Sequence, residues 1–180
     1  MKRILVSAFL AACVAAPVVA AETEGGELNP EEMTWRSFRK QAENGQSGMV
    51  MCAMGYAMAK AGDFETARII FERCAADGYT GAMTWMSYLE QNGAGGEFNP
   101  DAAAEWDRRA AEAGDPIGMF NHGVNMMRGF GTAQDETAGR AMVDQAAQAG
   151  LDIAKRLQGA DYDLDEVTPD ADNWRYAPMF

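Results

Sequence analysis

Three glycines, Gly78, Gly114 and Gly150, stand 36 residues apart, and each closes an Ala-rich, charge-bearing run: FERCAADG, WDRRAAEAG and VDQAAQAG. A glycine just past such a run is the usual stop of a helix, because it enters the left-handed conformation without a Cβ penalty. Fifteen residues before each glycine stands a good N-cap, Asp63, Asn99 or Asp135. Pro100 follows Asn99 at the first helical position, where a missing N–H costs nothing. Three helices of similar length therefore begin and end in register. NPEEMTWRSFRKQAENG at 29–45 has the same plan with one extra residue, so a fourth copy is expected there, capped by Asn29 and entered through Pro30. Partner helices are expected between the copies, near 48–60, 80–91 and 116–128, rich in Met, Ala and aromatic residues. The loops leaving the second and third partners carry Gly93 and Gly95, then Gly129 and Gly131, again 36 apart, whereas the first turns briefly at Gly62.

A period of this length filled by helix, loop and helix is the signature of an αα-hairpin repeat. One hairpin cannot bury its apolar face alone. Stacked hairpins share a core, so each must keep its volumes and turns while its letters drift. Counted from each cap, offsets +4, +7, +11 and +12 carry Ala67, Ile70, Cys74, Ala75, then Ala103, Trp106, Ala110, Ala111, then Gly139, Met142, Ala146, Ala147. This is helical spacing, with small residues that permit close helix approach beside one large one. The expected fold is all-α: a right-handed solenoid of about three and a half hairpins over 29–159, ending in a short helix near 151–158.

On these residues the chain resembles the Sel1-like repeat family, relatives of the tetratricopeptide repeats. The third unit carries the pattern through Ala110, Ala111, Gly114, Gly118, Gly123, Gly129, Gly131, Asp135, Ala138 and Ala141. The second carries Ala75, Gly78, Gly81, Gly93, Gly95, Asn99, Ala103 and Trp106, but has Ser87 where the pattern expects glycine. The first unit, with GDFETA and its short loop, is nearer a tetratricopeptide hairpin. The resemblance implies an adaptor or scaffold that holds a protein or peptide on a concave face lined by the partner helices. The residues it points to for protein binding are Met83, Trp85, Tyr88, Asn121, Asn125 and Met126.

The first 21 residues read as a targeting segment: Lys2 and Arg3, an apolar run, and a small-residue cleavage site after Ala20 or Ala21. Export to the periplasm follows as an expectation. LAAC at 10–13 leaves a lipoprotein anchored at Cys13 as an alternative, although the residues after it stay apolar. Of 15 Lys and Arg and 27 Asp and Glu, the leader holds two basic residues and no acidic one, so the mature chain is near −14. So acidic a chain disfavours nucleic acid and anionic lipid as partners. Two cysteines remain, Cys52 and Cys74, and an even pair in an exported chain suggests a disulfide. A hairpin turning near Gly62 brings the two to similar heights on adjacent helices.

Little else in the sequence points to chemistry. His122 is the sole histidine and occupies a position held by Met elsewhere in the register, so it is expected to be buried and hydrogen-bonded. A small periplasmic hydrolase is an alternative that would need His122 gathered with acids and a hydroxyl. The methionines read as core filler, or as an adaptable groove, more readily than as a copper site. Asp161, Asp163, Asp165 and Asp172 match four positions of a calcium loop, but Glu166 stands where glycine must turn, so residues 160–180 read as an acidic linker and aromatic tail. Trp174, Tyr176, Met179 and Phe180 are expected to fold back and cap the last repeat, or else to dock on a partner. Neither a cofactor nor a metal is implied, and a monomer is expected.

Overall fold

A computed structural model describes residues 34–167 of the chain. They form eight α-helices with no strand: α1 (Trp35–Glu43), α2 (Met49–Ala61), α3 (Phe64–Ala76), α4 (Thr80–Asn92), α5 (Pro100–Glu112), α6 (Pro116–Arg128), α7 (Glu136–Gln148) and α8 (Asp152–Gly159), followed by a 3-10 turn at Leu164–Glu166. Asp63, Asn99 and Asp135 cap α3, α5 and α7 by accepting from the amides of Thr66, Ala102 and Ala138 at 3.1, 3.1 and 2.9 Å. Each such cap contributes about 1 kcal/mol. Gly78, Gly114 and Gly150 end the turns beyond these helices at φ of 88, 86 and 101°. The fourth copy is shorter than expected. Its described helix starts at Trp35, capped by the Thr34 hydroxyl, which accepts from the Ser37 amide at 3.2 Å. Asn29 and Pro30 lie outside the described residues, as do the leader and the segment 174–180.

Helices pair as α2/α3, α4/α5 and α6/α7, and each hairpin packs on the next through α3 with α4, α5 with α6 and α7 with α8. This is the αα-hairpin solenoid. The small positions act as foreseen: Ala67, Cys74, Ala75, Ala103, Ala110, Ala111, Ala146 and Ala147 are buried. Helices α6 and α7 come together closely at Gly123 and Gly139, where a Cβ on either would meet the other's carbonyl oxygen, at 2.7 and 2.5 Å. The large position holds in α3, where Ile70 is buried beside Phe71, but shifts in the other two copies: Trp106 and Met142 are only partly buried, and Asp107 and Val143, one step later, are buried. Trp106 instead lies under the guanidinium of Arg109, 4.2 Å from its ring centre.

The apolar interior forms two clusters. The first gathers residues of α1 to α4 around Ile70, Phe71, Met86 and Leu89. The second joins Phe120, Val124 and Met127 of α6 to Val143 and Ala146 of α7 and to Ala154 and Leu157 of α8. Tyr162, Leu164 and Val167 pack against the second cluster. Residues 151–167 thus cover part of the flank of α7, while the cap expected of residues 174–180 lies outside the described residues.

Candidate protein-binding face

The partner helices α2, α4 and α6 share one face of the solenoid, on which α4 and α6 touch directly. Its most conspicuous feature is an aromatic cluster. The Trp85 ring stacks on Phe71 with centroids 5.7 Å apart and planes 10° from parallel. Tyr56 of α2 and Tyr88 of α4 stand nearly perpendicular to Trp85, each at 72°, with centroids 5.2 and 5.3 Å away. Edge-to-face pairs of this kind hold each other by about 1 kcal/mol beyond burial. They fix the rings while leaving both tyrosines exposed, at 47 and 46%. Beside them lies a cavity of about 350 Å³, walled by Tyr56, Trp85, Cys52, Tyr79 and Gly81 among others. A cavity of that size is at the small end of ligand sites and suits one side chain or a short peptide turn.

The face is also poor in charge. Lys60 is the one charged residue of α2 and Glu90 that of α4, while α6 carries His122 and Arg128. Glu90 is engaged below the surface, accepting from Arg68 Nη1 at 2.7 Å. The chain's net acidity therefore lies elsewhere, in residues 22–32, at the caps Asp63, Asp115 and Asp135, on α5 and α7, and in residues 161–172.

The residues that the sequence singles out divide in two. Trp85, Tyr88, Asn121 and Met126 reach the surface wholly or in part. Met83 and Asn125 are buried, Met83 in the first cluster and Asn125 against Asp107, so they belong to the interior of the isolated chain. The reason is the pitch: residues on the flank that meets α5 alternate with those that face outward, and sequence spacing alone does not say which flank is covered. Tyr56 and Tyr79 were missed. The signal was present for Tyr56, which follows Gly55 as Tyr88 follows Ser87 in the equivalent helix.

Under this face lies a buried polar group. Asp107 is 2% exposed and accepts from the Ser87 hydroxyl at 2.7 Å, the Asn121 amide at 3.1 Å and the Asn125 amide at 3.0 Å. Ser87 therefore stands in place of glycine because Asp107 stands in the slot that Phe71 and Val143 fill in the neighbouring repeats. Burial pushes the Asp107 carboxyl up to about 6, against the three donors that hold it down. His122 differs from expectation: it is half-buried, and its Nδ1 has no hydrogen-bond partner among the described residues. Burial, and then the charge of Arg108, lower its pKa. Among the described residues no serine or threonine hydroxyl is hydrogen-bonded to it.

Cys52 and Cys74 are joined, with Cα atoms 6.0 Å apart, tying α2 to α3 beside the cavity. No described helix is long and apolar enough to cross a membrane.

The similar solved structures share this architecture. A protective antigen of uropathogenic Escherichia coli strains, displaying an SLR fold, matches with a TM-score of 0.57 at 26% identity, over 70% of this chain and 29% of that one. A Sel1 repeat protein from Oxalobacter formigenes matches with 0.57 at 25% identity, over 61% and 44%. The fold is that of the Sel1-like repeat solenoids. Helicobacter pylori cysteine rich protein B is similar in fold, with a TM-score of 0.54 at 15% identity, over 68% of this chain and 90% of that protein. The chain spans less than half the length of the first two. No protein-family model matches the sequence, and no curated protein does. A Sel1-like solenoid points to a protein–protein interaction module.

Proposed function

We propose that the chain is an exported adaptor or accessory subunit of an envelope complex, which holds a segment of another protein across α2, α4 and α6. The observation that carries this reading is the exposed cluster of Tyr56, Trp85 and Tyr88 beside a cavity of about 350 Å³. Rigid aromatic rings with a polar tip supply contact area at small entropic cost, and they are enriched at binding hot spots. The location is supported by the sequence of residues 1–21 and by the disulfide, which forms and persists in oxidising compartments. Asn121 and Met126 extend the contact towards α6 as polar and adaptable neighbours.

The test is affinity capture from envelope extract with the wild-type chain and a Tyr56→Ala/Tyr88→Ala variant of matched helical content and melting temperature. The reading expects a specific protein to be captured by the first and at least tenfold less of it by the second. Equal capture would remove the face from the binding site. The mass of the exported chain separates a start at Ala21 or Glu22 from a lipid-modified start at Cys13.

A further inference from the structure

We propose that the cavity beside Tyr56 and Trp85 is a thiol-exchange site: a small neutral thiol enters it, attacks Cys52 Sγ and remains there as a mixed disulfide. The proposal goes beyond the function above, because it concerns the wall of the cavity and holds whether or not the face grips a partner.

The two sulfurs of the bond are unequally placed. Cys52 is partly buried and forms part of the cavity wall. Cys74 is fully buried in the first apolar cluster, with Ile70 and Phe71, and does not line the cavity. A thiolate breaks a disulfide by attacking one sulfur and expelling the other, so access decides which sulfur is taken. The cavity gives that access to Cys52.

The lining sets the class of thiol. Tyr56, Phe71, Tyr79 and Trp85 supply aromatic walls, and no Lys, Arg, Asp or Glu lies among the lining residues. An ionic group would leave water for surroundings that offer it no partner. A ring-bearing thiol exchanges water for aromatic faces and edges. The volume of about 350 Å³ is ample for one such ring with its sulfur. The way in is open as well. Gly81, exposed at the start of α4, lines the cavity, and a Cβ there would meet nothing within 4 Å.

The step balances with the thiol as sole co-reactant. The thiolate forms a bond to Cys52 Sγ, and the bond from Cys52 to Cys74 breaks. Its electron pair goes to Cys74 Sγ, which takes up the proton that the thiol gave to solvent. One disulfide replaces another, so no external oxidant or reductant is consumed. Cys74 must end as a neutral thiol, since an unpaired charge among Ile70 and Phe71 is costly. It reverses the step when the thiol is withdrawn.

The experiment uses the full mature chain and benzyl mercaptan as the probe. Mixed disulfides are trapped by acid quench, alkylated after unfolding and located by peptide mass. The adduct is expected at Cys52 in about tenfold excess over Cys74. Mercaptoacetate, a charged thiol, is the comparison, each rate being divided by that of the same thiol with the chain unfolded in urea. On that scale benzyl mercaptan is expected to be about fivefold faster. Gly81→Leu narrows the entrance at a helical position that favours a side chain over none. It is expected to slow adduct formation about fivefold at unchanged helical content. Cys74→Ala leaves Cys52 as a free thiol that cannot re-form the bond. A neutral dipyridyl disulfide is expected to cap it, again more slowly once Gly81→Leu is added. Adducts shared equally between the two cysteines, equal scaled rates for the two thiols, or rates indifferent to Gly81→Leu would overturn the proposal. It also falls if wild type forms no adduct and Cys52 of the Cys74→Ala chain resists capping.

Discussion

Asp107 is the residue whose behaviour departs most from its type. A carboxyl that ionises near 3.8 when exposed keeps its proton up to about 6 here, because burial outweighs the donors Ser87, Asn121 and Asn125. Between those two values the folded chain binds more protons than the unfolded one, so this group's contribution to stability is present below pH 3.8 and is lost as pH rises through 6. The size is roughly 3 kcal/mol, at 1.4 kcal/mol per unit. Asp107→Asn keeps the shape and an acceptor while removing the charge. Chemical unfolding should therefore find the variant gaining on wild type by about 2–3 kcal/mol between pH 4.5 and pH 8. A difference that does not change with pH would contradict the buried-charge account. The departure at Ser87 was visible in the sequence, but its reason was not, since the partner that explains it lies 20 residues away on another helix.

At the scale of elements, the helices and their ends were legible because their signals are local: a cap, a periodic run and a glycine with positive φ. The packing of one element on another was legible only in its small positions. Gly131 shows why the loops repeat: at φ 63° it lies against the Pro100 carbonyl, where a Cβ would overlap, and Gly95 meets Phe64 in the same way one hairpin earlier. The joint between α3 and α4 depends on a contact that no local pattern announces. Arg68 donates to Glu90 at 2.7 Å and to the Ala94 carbonyl at 2.8 Å, and both charged side chains are only 14% exposed. Glu90→Ala leaves a largely buried guanidinium without its carboxylate, and should cost about 2–3 kcal/mol in chemical unfolding. Glu105→Ala, which breaks an exposed pair with Arg108 on one helix, should change stability by less than about 0.5 kcal/mol. For the α6/α7 joint, Gly139→Ala forces a Cβ onto the Gly123 carbonyl, and the expected loss is about 1–3 kcal/mol. If Gly139→Ala proves neutral, the two backbones are not in contact.

The described residues form a row of hairpins in which each element touches its neighbours, so their stability is the sum of local terms and need not be lost all at once. The two apolar clusters make this concrete: one serves α1 to α4, the other α6 to α8, and between them sits the polar group around Asp107. The disulfide lies wholly within the first half, closing the 22-residue separation from Cys52 to Cys74. On the chain-entropy model such a closure stabilises by roughly 3 kcal/mol. In a single cooperative core, losing it would loosen every helix alike. In a solenoid divided as this one is, the loss should be felt where the bond is. Hydrogen exchange on the Cys52→Ala/Cys74→Ala variant should therefore show faster exchange in α2, α3 and α4, with α6, α7 and α8 close to wild type. The thermal midpoint of the first half should fall by about 6–12 °C, by the usual scaling for a chain of this size. The aromatic groove belongs to that half, since Tyr56 is on α2 and Trp85 rests on Phe71 of α3. Partner capture should weaken under reducing conditions even while the second half stays folded. Uniform acceleration across all helices would instead mean that the polar layer transmits unfolding, and that the two clusters behave as one core.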